Sequence, residues 1–345
     1  MGLDLIQRES NTLSCIEVSE LNQVGGKGLN ADQIFFISLK PGCVKDSTIF
    51  HKTTSKRRKS QSSVGTLNPD EPRTIFVLKH YKEDSVNTVR KELQQLAALK
   101  KTLTIKKFSS NFPRLVLNEE LYKYPNAGRY ASTIPYRYVG LVHVAKGYSL
   151  WDYIRSYVNS EGLQQDEYRE VLLEAFSKLG AVFANFHLMY MEGDTCAYNK
   201  RRVSLAPVDI QSCKTKTHND LHLKNIFWDG SVISFIDIST LATAPEPYNF
   251  LYELSYFLAT MIKFTNTLFD KENSEDQEGK QTLMIELGRA FITPYFAVLR
   301  EKYGETINYR KLVEKWKREA VWALNMITQD GDTVAVVFPQ IVAGL

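Results

Sequence analysis

One segment of this 345-residue chain combines residue types and spacings that could carry chemistry. His218, Asn219, Asp220, Leu221, His222, Leu223, Lys224 and Asn225 read H-x-D-x-x-x-x-N, and Asp237 follows twelve residues after Asn225. Phosphoryl transfer from ATP needs such a set. One carboxylate orients the acceptor hydroxyl and takes its proton, while a second carboxylate and an amide oxygen hold the divalent cation that bridges the phosphates. Asp220 suits the first role, and Asn225 and Asp237 the second. For those two to meet, the chain must double back. Asp229-Gly230, between two apolar runs, supplies the turn, so two short strands joined there bring Asn225 and Asp237 side by side. The bland alternative is a string that caps a helix or fills a turn, and an aspartate at this distance on a strand weighs against it. His218 and His222 could suggest a zinc pair, but no third ligand stands nearby at metal spacing.

The segment resembles the catalytic loop of the protein-kinase-like fold. It is closer to the branch of aminoglycoside phosphotransferases and choline kinases than to ordinary protein kinases. In that branch the metal-binding aspartate sits in an Ile-Asp dipeptide instead of D-F-G, and Ile236-Asp237-Ile238 matches it. The resemblance covers roughly residues 13–265. It implies an α+β, bilobal protein-kinase-like fold with a small β-rich N-lobe and a large helical C-lobe. Residues 1–145 form the N-lobe, with a long basic insert at 40–72. Residues 146–345 form the C-lobe, with the catalytic loop at 218–237 and a C-terminal helical extension. ATP and Mg2+ or Mn2+ are the implied cofactors, and His218 is implied to brace the loop.

Kinases of this fold place a lysine on a strand ending V-x-K, oriented by a glutamate on the next helix. Val77-Leu78-Lys79 supplies the lysine for the α/β-phosphates. Glu92 supplies the partner and is better placed than Glu83, which lies before the helix. Gly25, Gly26 and Gly28 lie between two expected strands, where backbone N–H groups could approach phosphates because side chains are absent. The motif departs from G-x-G-x-x-G, and no Gly-Lys-Ser/Thr follows, so it is not a Walker A loop. His143, Val144 and Ala145 resemble the hinge that bonds adenine through its backbone. Ser149 is a fitting N-cap for the helix after it.

Elements able to position these groups follow from composition and period. Residues 13–21, 33–39, 74–80, 115–117 and 136–144 read as strands. Residues 86–101 show apolar residues at helical spacing through Val86, Val89, Leu93, Leu96 and Leu99. Helices are expected at 150–157, 166–191, 248–264, 282–302 and 308–327. The acidic stretch 270–280 reads as a surface loop. The closing apolar run 333–345 reads either as a final packed strand or as a sign that the domain continues.

The net charge of +4 is mild for this length and argues against a protein that coats nucleic acid, which needs many phosphate contacts. The basic residues are concentrated instead. Lys52, Lys56, Arg57, Arg58 and Lys59 form one cluster, Lys100, Lys101, Lys106 and Lys107 a second, and Lys200, Arg201 and Arg202 a third. They are either solvated surface charge or one patch for a polyanion: an inositol polyphosphate or an anionic lipid head group, with nucleic acid last. No run of about 20 apolar residues suits a membrane span. Four scattered cysteines, Cys15, Cys43, Cys196 and Cys213, fit a reducing compartment. A cytoplasmic enzyme is expected, with a bacterial effector delivered into host cytosol as one origin.

The acceptor is less legible. Ala244-Pro245-Glu246 lies too near Asp237 to close a peptide-binding activation segment. Lys224, four residues after Asp220, could reach the transferring phosphate as a second catalytic residue. The expected activity is transfer of the γ-phosphoryl of ATP to a hydroxyl, with an atypical Ser/Thr protein kinase read first. A small-molecule or lipid kinase comes second. A pseudokinase-like polyanion-binding scaffold is third, disfavoured by the complete set of Lys79, Glu92, Asp220, Asn225 and Asp237.

Overall fold

The computed structural model describes residues 16–20, 31–39, 73–81, 87, 114–115, 119–125, 136–143, 147–189, 214–215, 217–218, 220–236, 248–272, 277–303, 309–343 and 345. The chain divides into two compact units, one of residues 1–98 with 116–144, the other of 99–115 with 145–345.

The first unit holds a five-stranded antiparallel sheet built from β1 (Ile16–Glu20), β2 (Ala31–Leu39), β3 (Arg73–Tyr81), β5 (Glu119–Pro125) and β6 (Tyr136–His143), in the order β1-β2-β3-β6-β5. β2 and β3 are rich in the aromatic and β-branched residues that suit a pleated, half-buried surface. The sequence reading omitted β5. This strand lies at the sheet edge and carries Glu119, Glu120, Lys123 and Pro125, the charged and proline residues that keep an edge from pairing further and that erase an apolar strand signal. The expected helix at 86–101, Asn87 apart, and the expected loop at 40–72 lie outside the described residues.

The second unit is mostly helical. Its helices are α1 (Leu150–Val158), α2 (Gly162–Met189), α3 (Phe250–Glu272), α4 (Gln277–Tyr303), α5 (Tyr309–Thr328) and α6 (Gly331–Ile341). Helix α1 starts on a capping box: the Ser149 hydroxyl accepts the Asp152 N–H at 3.1 Å, and the Asp152 carboxylate accepts the Ser149 N–H at 3.2 Å. α2 packs on α4, α3 on α5, and α6 on α4 and α5. Gly180 permits the first of these contacts, since a Cβ there would stand 2.0 Å from the Phe291 carbonyl oxygen. At the centre the Phe183 ring meets Phe186, His187, Phe235, Phe257, Phe291 and Tyr295 at centroid distances of 4.2–6.4 Å. Arg169 on α2 also grips the Glu286 carboxylate on α4 with its Nε and Nη2 groups.

Three sequence expectations change here. Helices enter the expected 270–280 loop from both sides, as α3 runs to Glu272 and α4 starts at Gln277. Lysine, glutamate and glutamine are good helix formers, so a polar stretch need not be a loop. Lys280 is in fact buried. The closing run is a helix and not a strand: Val334, Val337, Phe338 and Ile341 are the buried residues of α6, a helical period hidden in a valine-rich string. Finally, Gly162–Leu188 and Gln277–Lys302 are long and apolar enough to cross a membrane by length and composition alone, although 56% of the most apolar window of each is buried inside the structure.

A four-stranded sheet in this unit positions the loop of interest. Its order is β4-β10-β9-β7, with β4 (Arg114–Leu115), β7 (Tyr148–Ser149), β9 (Ile226–Trp228) and β10 (Ile233–Phe235). A further pair joins β8 (Lys214–Thr215) to β11 (Tyr248–Asn249). β9 and β10 are antiparallel, with Ile226 opposite Phe235 and Trp228 opposite Ile233. Their turn carries Gly230 at φ +86°, and the Asp229 carboxylate accepts N–H bonds from Ser231 at 3.0 Å and Val232 at 2.8 Å. Gly147 brings β7 onto β9. It has φ +84°, and a Cβ there would lie 1.9 Å from the Trp228 carbonyl oxygen.

Candidate active site

The loop before β9 alternates in burial. Leu221 and Leu223 are fully buried, while Asp220 is half-exposed, His222 is mostly buried and Lys224 is exposed. The leucines anchor the loop in the core, and the polar side chains between them are left to face outward. A 3-10 turn, Leu223–Asn225, follows, with His222 as its cap: the Lys224 N–H donates to the imidazole Nδ1 at 3.3 Å.

Asn225 is buried and held at several points. Its N–H donates to the His222 carbonyl at 2.9 Å, its Nδ2 donates to the Asp220 carbonyl at 2.9 Å, and the same Nδ2 lies 3.3 Å from His222 Nε2. The Ile236 N–H donates to the Asn225 carbonyl at 3.0 Å and so carries the β9–β10 ladder one step past Phe235. The Ile236 carbonyl accepts from His218 Nε2 at 2.8 Å, and the buried His218 ring stands edge-on to Phe235. Ile236 is thus fixed between Asn225 and His218. Asp237, the next residue, lies outside the described residues.

Asp220 is the most accessible acid of the loop, with 46% of its side chain exposed and its Oδ1 3.8 Å from His222 Nε2. The Tyr256 phenol, on α3, lies within range of its charge. Burial, reinforced by the Asp220 negative charge, pushes that phenol up to about 12. Lys224 extends its ammonium over the Trp151 ring, 4.8 Å from the centroid, and lies 5.7 Å from the Phe264 centroid. Trp151 and Phe264 meet edge-to-face at 5.5 Å, and Phe264 meets His222 at the same distance. Sequence reasoning missed Tyr256, Trp151 and Phe264. Aromatics at helical spacing read as core, and only the fold brings these three to the loop.

The donor chemistry fits a hard divalent cation. With its nitrogen committed to the Asp220 carbonyl, the Asn225 amide leaves its oxygen for a cation, and oxygen donors are what Mg2+ and Mn2+ prefer. No group of three or more His, Cys, Asp or Glu side chains able to hold a metal occurs among the described residues.

For the nucleotide half, the structure describes backbone only. Lys79 lies on central strand β3, opposite Ile34 of β2 and Gly140 of β6. His143 ends β6, opposite Phe76. Gly25, Gly26, Gly28, Glu92, Val144 and Ala145 lie outside the described residues, as do all three basic clusters.

No protein-family model matches the chain, and no curated protein matches it. Among solved structures, the chain is similar to a glucosamine kinase in complex with glucosamine, ADP and inorganic phosphate, at 12% identity over 96% of this chain and 90% of that one, with a TM-score of 0.38. It is similar to an aminoglycoside phosphotransferase from Streptomyces rimosus at 11% identity over 84% and 97% of the two chains, with a TM-score of 0.33. It is similar as well to a pseudokinase from Neurospora crassa at 12% identity over 93% and 66%, with a TM-score of 0.31.

Proposed function

We propose that this chain is an ATP- and divalent-metal-dependent phosphotransferase that moves the γ-phosphoryl group of ATP to a hydroxyl. The observation that carries the reading is the β9–β10 hairpin, whose ladder ties Asn225 to the residue preceding Asp237, while the Asn225 amide donates to the carbonyl of a half-exposed Asp220. Asp220 accepts the acceptor's proton as its oxygen bonds to the γ-phosphorus and the bond from that phosphorus to the ADP oxygen breaks. Asn225 and Asp237 would hold Mg2+ or Mn2+, which when bound would neutralise charge at the phosphates. Lys79, oriented by Glu92, holds the α/β-phosphates, and Lys224 supplies a positive charge near the transferred group.

A small hydroxyl-bearing molecule is the acceptor favoured here. Only eleven residues separate Ile236 from β11 at Tyr248, and α3 begins two residues later, which leaves little chain from which to build a peptide platform. A Ser/Thr side chain is the second reading, and the basic insert at 40–72, as a regulatory element, favours it.

The test uses purified protein, labelled ATP, Mg2+ or Mn2+, and a panel of amino sugars, aminoglycosides, choline and inositol phosphates beside the chain itself. Label on a small acceptor, lost in Asp220→Ala and Asp237→Ala, supports the proposal. Label on the protein alone supports the second reading. Nucleotide inertness supports a scaffold and sinks both. Lys224→Ala should lower turnover more than nucleotide affinity.

A further inference from the structure

We infer that Trp151 is a positioning residue for Lys224: its indole face, flanked by Phe264, holds the Lys224 ammonium beside the Asp220 loop. The inference rests on the reading of Lys224 as the positive charge near the transferred group.

The backbone at Lys224 is fixed. Its N–H donates to His222 Nδ1 at 3.3 Å, and its neighbours Leu223 and Asn225 are buried. The side chain is a different matter. Lys224 is exposed, and a flexible four-carbon stem lets a lysine ammonium range widely through water. Here the ammonium lies 4.8 Å from the Trp151 centroid and 5.7 Å from the Phe264 centroid. Both distances fall inside the roughly 6 Å at which the negative face of a ring attracts a cation. The two rings come from different helices. Trp151 is the second residue of α1, whose start is set by the Ser149 capping box, and Phe264 lies on α3. They meet edge-to-face at 5.5 Å, so each steadies the other. Phe264 also meets the His222 ring at 5.5 Å, and His222 Nε2 lies 3.8 Å from Asp220 Oδ1. One run of contacts thus joins the ammonium's platform to the acid of the loop. A ring face suits this task better than a carboxylate. It attracts the ammonium without cancelling its charge, and it leaves N–H donors for phosphate oxygens. At an exposed site such a contact favours the held conformer about two- to fivefold. Packing alone needs only an apolar side chain.

Trp151→Leu separates the two roles, because it keeps an apolar side chain and removes the ring face. It should lower kcat about two- to fivefold, less than Lys224→Ala does, with the KM for ATP nearly unchanged. Trp151→Phe keeps a ring face and should recover most of that loss. In a Lys224→Ala background, Trp151→Leu should have no further effect on residual turnover, because a residue acting through Lys224 has nothing left to hold. Should Trp151→Leu lower the Tm, tryptophans carrying successively more fluorine atoms are incorporated at position 151. Fluorine drains electron density from the ring face at nearly constant shape, so kcat should fall step by step while the Tm holds. Full kcat in Trp151→Leu or in Lys224→Ala, an equal loss in the Lys224→Ala background, or a kcat indifferent to fluorine would each overturn the inference. Wild-type turnover is measured in the same series. A wild type that transfers no phosphoryl group removes the functional reading and this inference with it, whereas an active wild type with an equally active Trp151→Leu removes only the inference.

Discussion

Helix α3 carries parts of two sets that use the same three residue types in opposite ways. In one, Glu253 of α3 meets His187 Nε2 at 2.8 Å, and His187 Nδ1 meets the Tyr295 hydroxyl at 2.8 Å. Both charged-type side chains are sealed, at 2% and 0% exposure. In the other, the Tyr256 phenol of α3 feels the Asp220 charge, and His222 Nε2 stands 3.8 Å from the Asp220 carboxylate. Here the acid is 46% exposed and the histidine 20%. Polar groups out of water must be matched by partners at hydrogen-bond distance, so the sealed set forms one short chain from Tyr295 through the His187 ring to Glu253. The open set keeps one flank of its carboxylate accessible, which bracing does not require and chemistry does.

The largest effect that would break this contrast is on turnover. Asp220→Ala should reduce phosphoryl transfer by about 10²- to 10⁴-fold, the range of a positioned general base. Its folding stability should move by no more than about 0.5 kcal/mol, as expected for a half-exposed side chain. Rates with labelled ATP and thermal melts of the same preparation check both halves. A variant that unfolds, or one that turns over normally, would place Asp220 with the bracing set.

Glu253→Ala should show the converse. It opens a cavity and strands the buried His187 ring, at a cost of about 3 kcal/mol. Urea unfolding measures this, and stability equal to wild type would mean that the sealed set is not a brace. Tyr295→Phe is milder, because it removes one hydroxyl and keeps the ring, and about 1 kcal/mol is expected from the same measurement. Transfer rates per folded molecule should stay near wild type in Tyr295→Phe, since this hydroxyl meets His187 inside the helix packing.

The sequence could announce the open set and not the sealed one. The spacing of Asp220, Asn225 and Asp237 around the Asp229-Gly230 turn is local, so it survives in the bare string, and the capping box at Ser149 is equally local. Helix periodicity marked α1 to α5 for the same reason. The sealed set joins residues 66 and 108 positions apart, a pairing that only tertiary packing decides. Tyr256 was lost among the aromatic residues of an evidently buried helix, since helical period states which face is apolar and not which ring stands near the Asp220 loop. The β5 strand was hidden by edge charges, and α6 by β-branched residues with strand-like propensity and helical spacing.

Asp330 is a third carboxylate, intermediate in burial, and its test is the finest discrimination of the three. It caps α6: Oδ1 accepts the Thr333 N–H at 3.0 Å, and Oδ2 accepts the Asn266 amide at 3.0 Å. The Thr333 side-chain hydrogen bond holds its pKa below the usual aspartate value, with the Thr333 backbone, the Lys280 charge and Asn266 adding to this while burial opposes it. A carboxyl depressed in the folded state binds fewer protons there than in the unfolded chain. Its stabilisation is therefore complete above the unfolded value, about pH 4, and is lost as pH falls through the lower folded value. Asp330→Asn keeps an N-cap of similar quality but loses the charge at the helix N-terminus, so about 0.5 kcal/mol should disappear at neutral pH. The penalty should shrink as the medium is acidified, because protonation does to wild type what the substitution has already done. Urea unfolding of both proteins from neutral pH down into the acid range reads this directly: the two stability curves should converge below about pH 4. Curves that stay parallel would show that the Asp330 charge contributes nothing, and any change in phosphoryl transfer at neutral pH would show that this carboxylate belongs with Asp220 after all.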